Sequence, residues 1–174
     1  GSFSLGSLAN ALLHGICAQA AAPARQVVAL AGDGGLTMML GELISLTQNR
    51  LPVKTIVINN SSLNFVELEM KAAGFVNYGT ELINPDFAAV AQAMGIFARR
   101  VERSEDLPDA VAEVFAHDGP ALLDVVTERQ ELSMPPTITA EQVKGFALYA
   151  IRTVMSGRGD ELLDLARANW RQLF

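Results

Sequence analysis

The sequence predicts an α/β fold: a parallel sheet with helices on both faces, followed by a C-terminal helical tail. Three observations carry this. Short apolar runs, Val27-Val28-Ala29-Leu30-Ala31 and Thr55-Ile56-Val57-Ile58 among them, read as strands buried on both faces, because they do not alternate with polar residues. Stretches with helical spacing separate those runs, giving the βαβα order that lays parallel strands beneath covering helices. Gly and Pro fall between the segments and punctuate them.

Taken in order, residues from about Ser7 to Ala21 predict a helix packed through small side chains, and 26–31 the first strand. Gly32-Asp33-Gly34 then reads as a loop, followed by a helix near 39–49 with Leu40, Leu43, Ile44 and Thr47 on one face. Leu51-Pro52 breaks it, and a second strand runs from about 53 to 58. Asn59-Asn60-Ser61-Ser62 opens a short helix through about Lys71. Asn84-Pro85 gives a capping residue and a proline at the first helical position, starting a helix over 86–94. A third strand is expected near 98–101, and Ser104-Glu105-Asp106 caps a helix to about Ala116, with acidic residues at its positive end. Gly119-Pro120 turns into a fourth strand, 121–126. Met134-Pro135-Pro136 marks a stop, so the expected division is an α/β domain over 1–133 and a helical tail over 134–174. The tail reads as helices over 139–155 and 160–173, joined by Gly157-Arg158-Gly159. Trp170 and Phe174 near its end would suit a membrane interface, but the residues by themselves favour a helix packed on its own domain or subunit.

Composition excludes several classes. The 174 residues carry a net charge of −6 and no Lys/Arg cluster, which argues against nucleic-acid binding. Half the residues are apolar and only 18% are charged, which fits a piece that buries surface against partners. The single Cys17 implies neither disulfide nor zinc site, and His14 and His117 stand isolated. No signal peptide or membrane-spanning stretch is read. The chain starts without Met and enters almost at once into Gly6-Ser7-Leu8-Ala9-Asn10, so it reads as a fragment of a longer enzyme.

Chemistry points to two motifs. Gly32-Asp33-Gly34 and Asn59-Asn60 lie 24 residues apart, and each falls just after a strand. Both therefore sit at carboxyl ends of strands, where open α/β sheets bind ligands. A carboxylate beside a carboxamide, joined by phosphate oxygens and water, suits Mg²⁺, a hard cation that demands octahedral oxygen geometry. The glycines let the backbone approach a diphosphate closely. No Gly-x-Gly-x-x-Gly or Gly-Lys-Ser/Thr loop occurs, which weakens a plain nucleotide-binding reading.

In this spacing the two motifs resemble the signature of thiamine-diphosphate (ThDP) enzymes. The resemblance implies that Asp33 and Asn60 are side-chain ligands of Mg²⁺, with the Ser62 carbonyl as a third protein ligand. It implies that the amides of Gly34 and Gly35 face the diphosphate, and that Ser61, Leu63, Asn64, Phe65 and Val66 border the cofactor. Gly6, Ser7 and Leu8 match a segment that approaches the aminopyrimidine, with Leu8 as the apolar wedge beneath the bent cofactor.

Further stretches are similar to the bacterial pyruvate oxidase group, the quinone-reducing flavoenzymes. They are Arg25-Gln26-Val27-Val28-Ala29, Leu51-Pro52-Val53-Lys54, Phe65-Val66 with Glu69-Met70-Lys71, Lys144-Gly145-Phe146, and Ser156-Gly157-Arg158-Gly159-Asp160-Glu161. That similarity implies oxidation of pyruvate to acetate and CO₂, with electrons passing through FAD to a quinone such as ubiquinone. Phe65 and Glu69 then take catalytic places, Phe65 near thiazolium and flavin, Glu69 near the substrate. It also implies pyrimidine and FAD domains outside this chain, a homo-oligomer (a tetramer in the parent), and a cytoplasmic protein peripheral at the inner membrane face through its last helix. Where the group commonly has Gly, this chain has Asn64, the least costly replacement if the backbone there is left-handed. The alternatives are a non-oxidative relative such as acetolactate synthase, or a non-catalytic ThDP-binding module.

Overall fold

The structure, a computed structural model, describes residues 7–129 and 139–169. It divides into two units, Gly1–Ser61 with Ile83–Thr127 and Ser62–Leu82 with Glu128–Phe174. Segment 62–82 thus joins the chain after Glu128 rather than its neighbours in sequence, while the expected boundary at 133/134 lies outside the described residues.

The first unit runs α1 (Asn10–Ala21), β1 (Val28–Gly32), α2 (Asp33–Met38), α3 (Leu43–Gln48) and β2 (Lys54–Asn59). After segment 62–82, where α4 (Asn64–Ala72) lies, it resumes with α5 (Phe87–Ala93), β3 (Phe97–Val101), α6 (Leu107–Ala116) and β4 (Ala121–Val126). All neighbouring strands are parallel, in the order β1-β2-β4-β3. Helices cover both faces, as expected. On one face Ala29, Val57, Leu122 and Ala98 pack with Leu12 of α1, Leu43 and Leu46 of α3, and Phe87 of α5. On the other, α6 lays Ala110 and Val114 over Ala121, Leu123 and Val101. That second face stays open at the edge strand, where Val28 and Leu30 are exposed, consistent with the chain's high apolar content.

Several boundaries differ from expectation, each for a physical reason. The Gly-Asp-Gly segment is no loop: Gly32 ends β1, and Asp33 opens α2 directly. The helix expected over 39–49 is split, because Met39 leaves helical geometry (φ −129°, ψ 30°) and a 3₁₀ turn covers Leu40–Glu42. Of the expected face, Leu43 is buried, Leu40 and Thr47 are half-buried and Ile44 is exposed, and Leu46 is buried in its place. Ser104–Asp106 forms a 3₁₀ turn before α6 and makes no side-chain cap. The cap of α5 is Asp86, whose carboxylate accepts the Ala89 amide at 2.9 Å; Asn84 is not the cap. Positive φ falls at Ser61 (56°), not at Asn64, which begins α4.

The second unit contains α4, α7 (Ala140–Met155) and α8 (Gly159–Asn169), with an antiparallel bridge between Ser62 and Glu81. Thr139 caps α7 in a reciprocal box with Gln142, as Thr-x-x-Gln foretells. A Cβ at Gly145 would overlap the Ala72 carbonyl, so only glycine allows α7 this approach to α4. Arg158 reaches across to the Asn77 carbonyl at 3.0 Å. No helix among the described residues is long and apolar enough to cross a membrane. Met134-Pro135-Pro136, Trp170 and Phe174 lie outside the described residues.

Candidate functional site

The sheet face that carries the first core changes character at its carboxyl edge. In register below it are Ala98, Leu122 and Thr55; one row up the same face presents Arg100 and Asp124, and then Asn59. These form a hydrogen-bonded chain. Arg100 donates to Asp124 Oδ2 at 2.6 Å, and Asn59 Nδ2 donates to Asp124 Oδ1 at 2.9 Å. Asn84 then donates to Asn59 Oδ1 at 2.9 Å and to Asp33 Oδ2 at 2.8 Å. Asp124, Asn59 and Asp33 are all buried. Burial would lower the Arg100 pKa, but hydrogen bonds to Glu102 and Asp124 and their charges overcome it and raise it.

Asp33 is the end of this chain, and its surroundings test whether a cation would fit. Oδ2 also accepts the Ser61 amide at 2.7 Å, and Oδ1 accepts the Gly34 amide at 2.8 Å. All three donors are neutral, and no ion pair reaches Asp33 among the described residues. A buried carboxylate with no cationic partner is costly, and a bound cation removes that cost. No group of three His, Cys, Asp or Glu is found among the described residues, so a cation at Asp33 would draw its other ligands from carboxamide, backbone carbonyl, phosphate and water oxygens. This suits Mg²⁺ completed by phosphate and water oxygens. At Gly35 a Cβ would overlap the Leu8 carbonyl, so only glycine allows the segment before α1 this close to α2.

The two motifs are thus brought together at the strand ends through Asp33, Ser61 and Asn84. Asn60 follows the last residue of β2 and is half-buried. The Gly34 amide is occupied by Asp33. Ser7 and Leu8 are exposed, and Gly6 lies outside the described residues. Ser62 belongs to the second unit, where its hydroxyl donates to Glu67 Oε2 at 2.7 Å. In that unit Leu63 and Asn64 are half-buried, and Phe65, Val66 and Glu69 are exposed, Phe65 to 70%. Glu67, on the same helix as Glu69, is 2% exposed and is the buried centre of a network, not part of a solvated acidic face.

Sequence reasoning missed Asn84, Asn59, Asp124, Arg100 and Glu67. For Asp124 a signal existed: it is a lone polar residue in a strand that is otherwise apolar, while Asn59 stood within the second motif with no role of its own. Asn84 was masked by its proline, which reads as a helix start. Elsewhere, Cys17 is exposed and free, and the His117 ring stacks on Phe97. The second unit holds a cavity of about 520 Å³ whose arginines are each paired with an acid (Arg129 with Glu81, Arg158 with Glu161, Arg167 with Asp164), with Glu128 beside them, and none of the expected site residues lines it.

Fold and site together define a parallel α/β domain with a poised carboxylate at its ligand-binding edge. Comparison with known proteins gives it a family. Residues 1–125 match the thiamine pyrophosphate enzyme, C-terminal TPP binding domain, and both motifs lie within the match. The chain is 31% identical over 164 residues to YdaP of Bacillus subtilis, described as a thiamine pyrophosphate-containing protein, covering 94% of this chain and 28% of that one. It is 33% identical over 135 residues to the mitochondrial acetolactate synthase catalytic subunit of Saccharomyces cerevisiae, covering 77% and 20%. Among solved structures, the ThDP-dependent 4-hydroxybenzoylformate decarboxylase of Rhodococcus jostii RHA1 matches with a TM-score of 0.65 and 30% identity, over 70% of this chain and 23% of that one. The chain belongs to the ThDP-enzyme family and contains its C-terminal ThDP-binding domain. It spans about a fifth to a quarter of the length of these relatives.

Proposed function

We propose that this chain holds the diphosphate end of ThDP through Mg²⁺, with Asp33 and Asn60 as side-chain ligands and the Ser62 carbonyl as a third. The observation that carries this is the buried Asp33 carboxylate, served by neutral donors alone. When bound, ThDP supplies the carbanion chemistry that cleaves the bond between carboxylate and carbonyl carbon of a 2-ketoacid. The chain's own part is to hold and orient. Asp33 and Asn60 anchor the cation, and the backbone at Gly34 and Gly35 faces the diphosphate at the start of α2. Gly6, Ser7 and Leu8 meet the aminopyrimidine, and Leu63 to Val66 border the cofactor. Phe65 and Glu69, both exposed, are available to substrate and flavin supplied by the rest of the protein. Calorimetric titration of the chain with ThDP, with and without Mg²⁺, tests this: binding should require Mg²⁺ and be lost in Asp33→Asn. Binding that ignores both would sink it.

For the whole protein the proposal is a pyruvate oxidase-type flavoenzyme. It converts pyruvate, water and a quinone to acetate, CO₂ and the quinol, through FAD held mainly by a domain outside this chain. The support is the similarity of the tail motifs, Lys144-Gly145-Phe146 and Ser156-Gly157-Arg158-Gly159-Asp160-Glu161, which lie beyond residues 1–125. A homo-oligomer and a cytoplasmic location at the inner membrane face belong to the same proposal. The second reading is an acetolactate synthase-type enzyme joining two ketoacids, favoured by the relatives of that name. The whole protein, given pyruvate, ThDP, Mg²⁺ and FAD, should reduce a soluble quinone analogue, and faster with lipid. Acetolactate without quinone reduction would favour the second reading. The chain by itself is expected not to turn over, and pyruvate oxidation by it alone would contradict that.

A further inference from the structure

A carboxylate offers about four lone-pair positions, two on each oxygen. At Asp33 three are taken: Oδ2 accepts from Ser61 at 2.7 Å and Asn84 at 2.8 Å, and Oδ1 accepts from Gly34 at 2.8 Å. One position remains, on Oδ1. We propose that Asn84 is a positioning residue that closes Oδ2, so that Asp33 offers a cation one oxygen and the site selects a small octahedral ion over a larger one. Mg²⁺ takes a carboxylate through one oxygen, whereas Ca²⁺ accepts bidentate carboxylates and irregular geometry. The inference rests on the proposed cation site and adds to it the residue that sets its coordination.

The direction of the Asn84 amide is determined from the far end of the chain. Arg100 can only donate, and ionised Asp124 can only accept. Asp124 receives Arg100 on Oδ2 and therefore Asn59 Nδ2 on Oδ1. Asn59 must then turn its Oδ1 toward Asn84, which answers with its own Nδ2. The same NH₂ group faces Asp33 Oδ2. Were Asn84 reversed, two oxygens would face its oxygen. Three side chains on three neighbouring strands thus fix one side chain's polarity, and with it the state of Asp33. Partners of metal ligands commonly change metal affinity by about ten- to hundredfold when removed.

The test is calorimetry on the 174-residue chain at fixed ThDP, titrated with MgCl₂ or CaCl₂. Asn84→Ala should weaken Mg²⁺ by about tenfold or more and Ca²⁺ much less, moving the preference toward Ca²⁺. Asn84→Leu removes the donor while keeping the volume, and should move the ratio the same way if the alanine variant does not fold. Equal weakening of both cations, or no change, overturns the role of Asn84. Asp33→Asn separates the two levels. If it abolishes cation-dependent binding while the Asn84 variants leave the ratio unchanged, the site stands and this inference falls. If Asp33→Asn binds as wild type does, the site itself is wrong and the inference falls with it.

Discussion

Asp33 and Glu67 are both buried carboxylates, 3% and 2% exposed, each served by several donors. They differ in one respect. Glu67 has its cation inside the chain: Lys71, itself 1% exposed, donates to Oε1 at 2.7 Å, joined by Asn77 at 2.8 Å and by Ser62 on Oε2 at 2.7 Å. Among the described residues Asp33 has only neutral donors and one unused position. A carboxylate neutralised within its own unit serves to fix that unit, here tying α4 to the turn at Thr80 and laying the Lys71 ammonium over the Tyr149 ring. One left without a cation among the described residues is where we propose that one arrives from outside. A linear reading gives no sign that Glu67 is buried, because acidic residues on a short helix usually face water.

The comparison breaks most sharply at Lys71. Lys71→Met strands a buried charge and should cost about 3–5 kcal/mol in urea denaturation, while Glu67→Leu with Lys71→Met should recover most of it. An additive double mutant would show that the pair is not a pair. Next is ligand-linked stability. Mg²⁺ with ThDP at a hundred times Kd should stabilise the wild type by about 2.7 kcal/mol. Asp33→Asn should lose this gain and Glu67→Gln keep it; loss in both would erase the distinction. A smaller effect separates Asp86 from Asn84. Asp86→Ala removes the α5 cap and should cost about 1 kcal/mol without shifting cation preference.

The narrowest effect is confined to acid. Burial alone would raise the Glu67 pKa, but hydrogen bonds from Lys71 and Ser62 and the charges of Lys71 and Arg129 overcome it and hold it below the ordinary 4.5. Between the folded value and 4.5 the unfolded chain binds a proton that the folded chain does not. This contribution is therefore complete above pH 4.5 and lost as pH falls through the folded value. The stability gap between wild type and Glu67→Gln should shrink in that window. A gap that holds constant into acid would place the proton elsewhere.

The amino-acid sequence by itself determined the local units and the motif that marks the family. Apolar runs specify the four strands to within about two residues, Thr139-x-x-Gln142 specifies the start of α7, and the Gly-Asp-Gly and Asn-Asn spacing puts oxygen donors at strand ends. These rest on periodicity and on contacts within one turn, which a linear reading can follow. Tertiary structure decided the strand order, the left-handed backbone at Ser61, the burial of Glu67, and the difference between Asn84 and Asp86. The partners that settle Asn84 lie 25 and 51 residues away, and the Asn59–Asp124 bond spans 65. Hydrogen-bond satisfaction in a buried place depends on what the fold brings there, and neighbours in sequence carry no record of it.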